Sequence, residues 1–218
     1  MISERLKVAS QYLRGFKCLA DCGTDHGLLP IYAVERGYVQ KAIASDNKHM
    51  PLMSAIKNIE EHRLFGKVET LLAEGLSYLE LNKDIDVVSI LGMGGPLIKD
   101  ILSKAYLYNV KRLVLQPNSS AEIVRAFLEK NKWAIVSEKL VKEHDKFYQV
   151  IVAEHGYMVL SPLEREFGPV IIKQQKSLLK ERIQVMISQL KNATLETTNP
   201  LTLKKLNLRI ALLEEAIL

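Results

Sequence analysis

Through the first two thirds of the chain, short apolar runs alternate with longer stretches whose apolar residues fall at helical spacing. The runs stand at Cys18–Ala20, Ala42–Ser45, Val68–Leu72, Ile85–Leu91 and Leu113–Leu115. Between them, Leu28–Arg36, Leu52–Leu64, Gly75–Leu81, Leu97–Lys104 and Ala121–Asn131 have crossover lengths, and a helix capped by Ser3 and carrying Leu6, Ala9 and Leu13 precedes the first strand. Strand–helix alternation of this kind predicts a doubly wound parallel sheet. The rhythm then changes. Trp133–Val141 and Phe147–Glu154 are joined only by Lys142–Lys146, too short for a parallel crossover, so they form a hairpin. The expected fold is α/β, a doubly wound sheet that is parallel except for one antiparallel strand.

From Pro162 the pattern becomes purely helical. Leu179, Ile183, Met186 and Leu190 are spaced 4, 3, 4, and Leu203, Leu206, Ile210, Leu213 and Ile217 are spaced 3, 4, 3, 4, which are heptad seams. Polar Asn192–Asn199, followed by Pro200, separates them. The spacing therefore predicts an antiparallel coiled-coil hairpin of two α-helices about 30 Å long, with a sheet domain over 1–160 and a helical domain over 161–218. Such a hairpin can cover the sheet, dimerise, or grip a partner. Charge favours the last, because residues 162–218 hold nine Lys and Arg against six Asp and Glu, within a whole-chain excess of +5 and a pI near 9.1. That makes the hairpin a candidate RNA arm.

No apolar run approaches the ~18 residues of a membrane span, and residues 1–5 begin no leader, so a cytoplasmic protein without membrane contact is expected. Cys18 and Cys22 lie in or beside the first strand without further Cys or His at ligand spacing, so they read as reduced core thiols and no metal is expected.

The chemistry concentrates at strand ends. The first strand runs into Asp21-Cys22-Gly23-Thr24-Asp25-His26-Gly27, an acidic turn punctuated by glycine, of the kind that holds a nucleotide cofactor. It lacks the middle glycine of a pyrophosphate loop, and Asp21 and Asp25 would repel a diphosphate. A cationic sulfonium with an amino-acid head suits them, and S-adenosylmethionine is such a cofactor; Gly23 and Thr24 supply the loop backbone. Asp46, with Asn47 beside it, follows the second strand 25 positions after Asp21, the distance at which a carboxylate reaches ribose hydroxyls. The same spacing suits NAD, and Asp46 can equally cap the helix entered at Pro51. Glu74-Gly75 is placed to line an adenine ring or to make an ordinary turn. Gly92-Met93-Gly94-Gly95-Pro96 makes poor sheet and reads as a turn whose backbone a substrate approaches closely. Gln116-Pro117-Asn118, ending the fifth strand, carries amides that can read a base edge or serve as cap and turn. No Asn-Pro-Pro-Tyr or Asp-Pro-Pro-Tyr occurs, and that cage is what amine methylation uses to hold a delocalised lone pair. A ring nitrogen, carbon or oxygen acceptor is therefore favoured.

The expected layout resembles the Rossmann-like sheet of class I methyltransferases. More specifically, Asp21-Cys22-Gly23-Thr24-Asp25-His26-Gly27-Leu28-Leu29-Pro30, Gly92-Met93-Gly94-Gly95 and Leu115-Gln116-Pro117-Asn118, in this order and ahead of a helical hairpin, resemble the bacterial tRNA adenine-N1 methyltransferases that modify adenine 22. The resemblance implies S-adenosylmethionine as cofactor, S-adenosylhomocysteine as product, and N1 of a D-arm adenine in tRNA as acceptor, with no obligate protein partner. It casts Asp25, His26 and Met93 as catalytic candidates, and Gly94, Gly95, Gln116, Pro117 and Asn118 as substrate-binding ones. Asp21, Gly23, Thr24, Asp46, Asn47, Glu74, Gly75 and Gly92 are left for the cofactor. The family usually reads Asp-His-Ala-Tyr-Leu-Pro, so a tyrosine is replaced here by Leu28. Other readings of the same residues are a methyltransferase acting on a different RNA nucleotide or small molecule, and a non-catalytic nucleotide sensor that binds nucleic acid.

Overall fold

In the computed structural model, which describes residues 2–216, seven strands make one sheet: β1 (Phe16–Cys22), β2 (Val39–Asp46), β3 (Val68–Leu72), β4 (Val87–Gly94), β5 (Arg112–Ser119), β6 (Trp133–Glu143) and β7 (Lys146–His155). Their order is β3-β2-β1-β4-β5-β7-β6. β1 to β5 pair in parallel, and β7 enters antiparallel between β5 and β6. The hairpin and the single reversed strand are thus as the apolar pattern predicts. Chain order reverses outward from β1 and β4, and ligands in such sheets bind beyond the carboxyl ends of the strands at that switch.

Period-2 alternation divides the sheet residues between two cores. Leu19, Ala42, Val87 and Val114 pack with residues of α1 (Glu4–Gln11), α2 (Leu28–Glu35) and α3 (His49–Glu61). Ala20, Val88, Leu113 and Ile151 pack with α4 (Gly95–Lys104) and α5 (Ala121–Lys130) on the other face. A strand buried on both faces has no polar side to show, which is why β1 reads as a nearly continuous apolar run. Asp86, expected to open β4, lies just before it and accepts the backbone N–H groups of Lys17 and Cys18 at 3.0 Å each, closing the foot of β1.

Four local expectations are corrected. Gly75–Leu81 is a succession of turns, since Gly75 takes φ +56° and the Tyr78 hydroxyl is pinned 2.9 Å from Ser45 Oγ. Gly92–Gly94 belongs to β4 after all, accommodated by register shifts against β5 between Leu91 and Gly94. Ser3 occupies the N-cap of α1 without a side-chain cap bond; Glu143 Oε1 takes the Glu4 N–H instead, at 2.7 Å. The helical break expected over Asn192–Asn199 is confined to 197–199.

Two compact units divide the chain, residues 1–170 and 171–218. This border lies about ten residues beyond the one the composition suggests, because α6 (Pro162–Phe167) is fastened to the sheet domain. Arg125, fully buried, donates to Glu138 at 2.8 Å and Gln149 at 2.7 Å, and also to the carbonyls of Arg165 and Glu166 at 3.0 and 2.9 Å. The second Glu138 oxygen accepts the Val170 N–H at 3.0 Å. A buried ion pair is tolerated only when such additional bonds satisfy it. A short helix α7 (Pro169–Gln174) spans the border.

The second unit holds α8 (Lys176–Glu196) and α9 (Pro200–Ala216). Leu179, Ile183, Ile210 and Leu213 of the expected seams are buried, and Met186, Leu190, Leu203 and Leu206 are half-buried; Ile217 lies outside the described residues. Asn199 Oδ1 caps α9 by accepting the N–H groups of Leu201 and Thr202, and Lys191 meets Glu214 at 2.9 Å.

Candidate active site

The end of β1 sets the first wall. Asp21 is 4% exposed and its carboxylate accepts the Ser89 hydroxyl from β4. Burial pushes its pKa up to about 6, against the lowering effect of that hydrogen bond. Beyond Cys22, the backbone N–H groups of Gly23 and Thr24 both donate to the Ser45 carbonyl at the end of β2, at 2.9 and 3.0 Å. They are spent inside the protein and form no anion-binding nest. Asp25, His26 and Gly27 then turn through φ +30°, +55° and +68°, a left-handed succession that costs of order 1–3 kcal/mol for each non-glycine residue. Asn58 of α3 holds it by donating to the His26 carbonyl at 2.8 Å. The Asp25 and His26 side chains lie 3.3 Å apart and are mostly exposed.

At the end of β2, Asp46 Oδ1 accepts the Lys48 N–H at 2.9 Å, which makes the turn into α3, and Asn47 donates to Glu74 at 3.2 Å. A small pocket of about 90 Å³ opens here among Asp46, Asn47, Glu74, Gly75 and Met93. Beside it along the same sheet edge runs a cleft of about 650 Å³. Met93 borders both, and its methyl carbon lies 2.1 Å from where a Cβ on Gly23 would stand. The φ of +73° favours glycine here, and a larger residue would also push the Met93 methyl aside.

The far wall comes from β4 and β5. The register shift turns the Gly92 carbonyl towards Asn118, whose Nδ2 donates to it at 2.7 Å. Gln116 Nε2 in turn donates to Asn118 Oδ1 at 2.9 Å. The Gln116 oxygen, in a side chain only 1% exposed, has no donor among the described residues.

Asp21, Gly23, Thr24, Asp25, Asp46 and Asn47 therefore border the main cleft, together with Gly92, Met93, Gln116 and Asn118. Glu74 and Gly75 border the small pocket. His26, Gly94, Gly95 and Pro117 border neither. Gly95 and Pro117 are buried, and a Cβ on Gly95 would stand 2.1 Å from the Ser120 carbonyl, so its role is the close approach of α4 to the start of α5. Ser3, Arg5 and Leu6 of the α1 segment also line the cleft, which no local pattern of residues marks. They arrive through tertiary contacts: Glu143 on β6 fixes the first turn of α1, and the Arg5 guanidinium rests 4.6 Å from the Tyr148 ring centre. Leu28, in place of the family tyrosine, borders the cleft as well and is 40% exposed.

Cys18 and Cys22 are free and buried, and burial raises their thiols to about 11 and about 12, so both stay protonated and inert. Among the described residues no helix is long and apolar enough to cross a membrane. Carboxylates at the ends of β1 and β2, with the Gly23 and Thr24 amides already spent on Ser45, suit a cationic ligand bearing a ribose.

The sequence profile of the tRNA (adenine(22)-N(1))-methyltransferases matches residues 19–216. The enzyme of that name from Bacillus subtilis (strain 168) is 32% identical over 232 residues, covering 99% of this chain and 97% of its own. Streptococcus pneumoniae Sp1610, solved in complex with S-adenosyl-L-methionine, matches with a TM-score of 0.90 at 36% identity over all of both chains. M. capricolum TrmK, solved with S-adenosyl-homocysteine, matches at 0.89 and 29% identity, over 100% of this chain and 98% of its own. This chain belongs to the tRNA (adenine(22)-N(1))-methyltransferase family.

Proposed function

We propose that this protein transfers the methyl group of S-adenosylmethionine to N1 of adenine 22 in the D-arm of tRNA. Family likeness along the whole chain supports the reaction, and the single structural observation that carries it is the acidic edge over β1 and β2, where the Gly23 and Thr24 amides are spent on the Ser45 carbonyl. When bound, the cofactor supplies an electrophilic methyl carbon on a cationic sulfur, open to in-line displacement by a ring nitrogen.

The chain's own residues divide the remaining work. Asp21 is the counter-ion for the cofactor's ammonium group, and Asp46, with one oxygen already used in its turn, offers the other to the ribose hydroxyls. The pocket at Glu74 and Gly75 takes the cofactor's adenine ring. Adenine N1 carries its lone pair in the base plane and needs no general base, so catalysis rests on exposing and positioning the base. Met93, between pocket and cleft, packs against the base face. Asp25, at the cleft rim, offsets the positive charge of the methylated ring, and His26 pairs with it. Residues 171–218, with their cationic excess, are the arm that grips tRNA, and a cytoplasmic location goes with that substrate.

The test compares an unmodified tRNA transcript with one carrying guanine at position 22, using radiolabelled cofactor. Label on the adenine transcript alone, recovered as 1-methyladenosine, is expected. Equal labelling of both would move the target elsewhere, and no labelling despite cofactor binding would overturn the reaction.

A further inference from the structure

We propose that the side-chain oxygen of Gln116 accepts a hydrogen bond from the exocyclic amine of the target adenine, which makes Gln116 the residue that selects adenine and sets N1 in line. This rests on the reaction proposed above and assigns the atom that reads its substrate.

The orientation of the amide is fixed by its neighbours. The Gly92 carbonyl can only accept, so Asn118 must present its nitrogen there and its oxygen towards Gln116. Gln116 must then present its own nitrogen to Asn118, leaving its oxygen on the opposite side. That oxygen has no donor among the described residues, although Gln116 is almost fully buried in the cleft wall. A buried carbonyl left unpaired is costly, and a donor brought by a ligand recovers that cost.

The ligands offer few donors to fill the place. The cofactor's ammonium and ribose hydroxyls face the carboxylates at the ends of β1 and β2, on the opposite wall from β5. The cofactor's own adenine amine goes with its ring into the pocket at Glu74 and Gly75, which Gln116 does not border, so the remaining donor is the amine of the target base, attached to the ring carbon beside N1. An acceptor holding that amine therefore holds N1 as well. Guanine presents a carbonyl oxygen at the same place, and two lone pairs would face one another. The bond also strengthens during reaction, because the methylated ring is cationic and its amine shares the charge. Interactions that strengthen in this way raise turnover, whereas uniform binding does not.

The experiment is a cycle between enzyme and substrate. Wild-type protein and Gln116→Met are each assayed on full-length tRNA carrying either adenine or purine riboside, which lacks the amine, at position 22. Purine N1 is intrinsically less basic, but that difference is common to both proteins and cancels in the ratio of ratios. The wild-type preference for adenine, measured as kcat/KM, is expected to shrink about 10-fold in the methionine variant, mainly through kcat. Affinity for S-adenosylhomocysteine is expected to stay within about twofold. An equal preference in both proteins would overturn the assignment and leave Gln116 as a support for Asn118. Should the methionine variant fail to fold, Gln116→Asn carries the test, since it keeps an amide but withdraws its oxygen by one carbon. The adenine preference shrinks in that variant too, and a preference equal to that of the wild type overturns the proposal. Failure of the wild-type protein to methylate the adenine transcript would overturn the reaction itself and this reading with it.

Discussion

The two halves of the cleft solve different problems with different chemistry. Over β1 and β2 the walls are acidic, and one carboxylate, Asp21, is held almost out of water where its charge is costly. Over β4 and β5 the walls are neutral amides, their hydrogens spent on one another and on the Gly92 carbonyl. In the reaction proposed above, a cofactor that arrives charged is met by full charges. The base, which arrives neutral and leaves cationic, is met by these dipoles in both states, with Asp25 at the cleft rim for the charge it gains.

Breaking the acidic half has the largest expected effect. Asp21→Asn should lower affinity for S-adenosylmethionine by about 100-fold, since a charge-assisted contact is lost. It should also raise thermal stability. The Asp21 carboxyl titrates near 6 in the folded protein against an ordinary 3.8, so folding takes up a proton between those values. The penalty is absent below about 3.8, grows as pH rises to about 6, and amounts to roughly 3 kcal/mol above it. Calorimetry and thermal melts at pH 7 check both halves of the claim; a variant that binds normally and melts lower would break the comparison. For the same reason wild-type cofactor affinity should fall as pH drops below about 6, and the asparagine variant should show no such fall.

In the neutral half, Asn118→Ala should slow methyl transfer about 10-fold, because it frees both the Gly92 carbonyl and the Gln116 amide. Cofactor affinity measured on the same protein should not move, and a parallel loss of both would mean that the two halves are not separable. The smallest effect belongs to the second unit. Lys204→Glu combined with Lys205→Glu, both exposed on α9, should weaken tRNA binding a few-fold and flatten its salt dependence, with cofactor affinity unchanged. Filter binding across a salt series would show it.

The same contrast explains what could be read from the chain before its structure. Charges and glycines following apolar runs announced the acidic half, because a parallel strand ends where its apolar pattern ends and the turn after it faces the ligand. The amide relay was half visible. Gln116 and Asn118 stand out in sequence, but the relay depends on a register shift that lets glycines continue β4, and strand propensity argues the other way. Gly95 and Pro117 looked functional by proximity, yet their neighbours bury them. Arg5 had no local signal, since its place at the cleft depends on Glu143 and Tyr148, more than a hundred positions along the chain. Tertiary packing, unlike periodicity, leaves no mark within a short window of sequence.

The bonds around Arg125 also bear on how this architecture can be recombined. A chimera that replaces the carboxyl-terminal helices would naturally be spliced at Pro162, where the composition shifts. That cut would strip Arg125 of the two carbonyls it holds and Glu138 of the Val170 N–H, leaving the buried Arg125–Glu138 pair with Gln149 but without the three backbone groups that complete it. The modular joint lies after Val170, so grafts made there should yield soluble hybrids where grafts made at 161 aggregate.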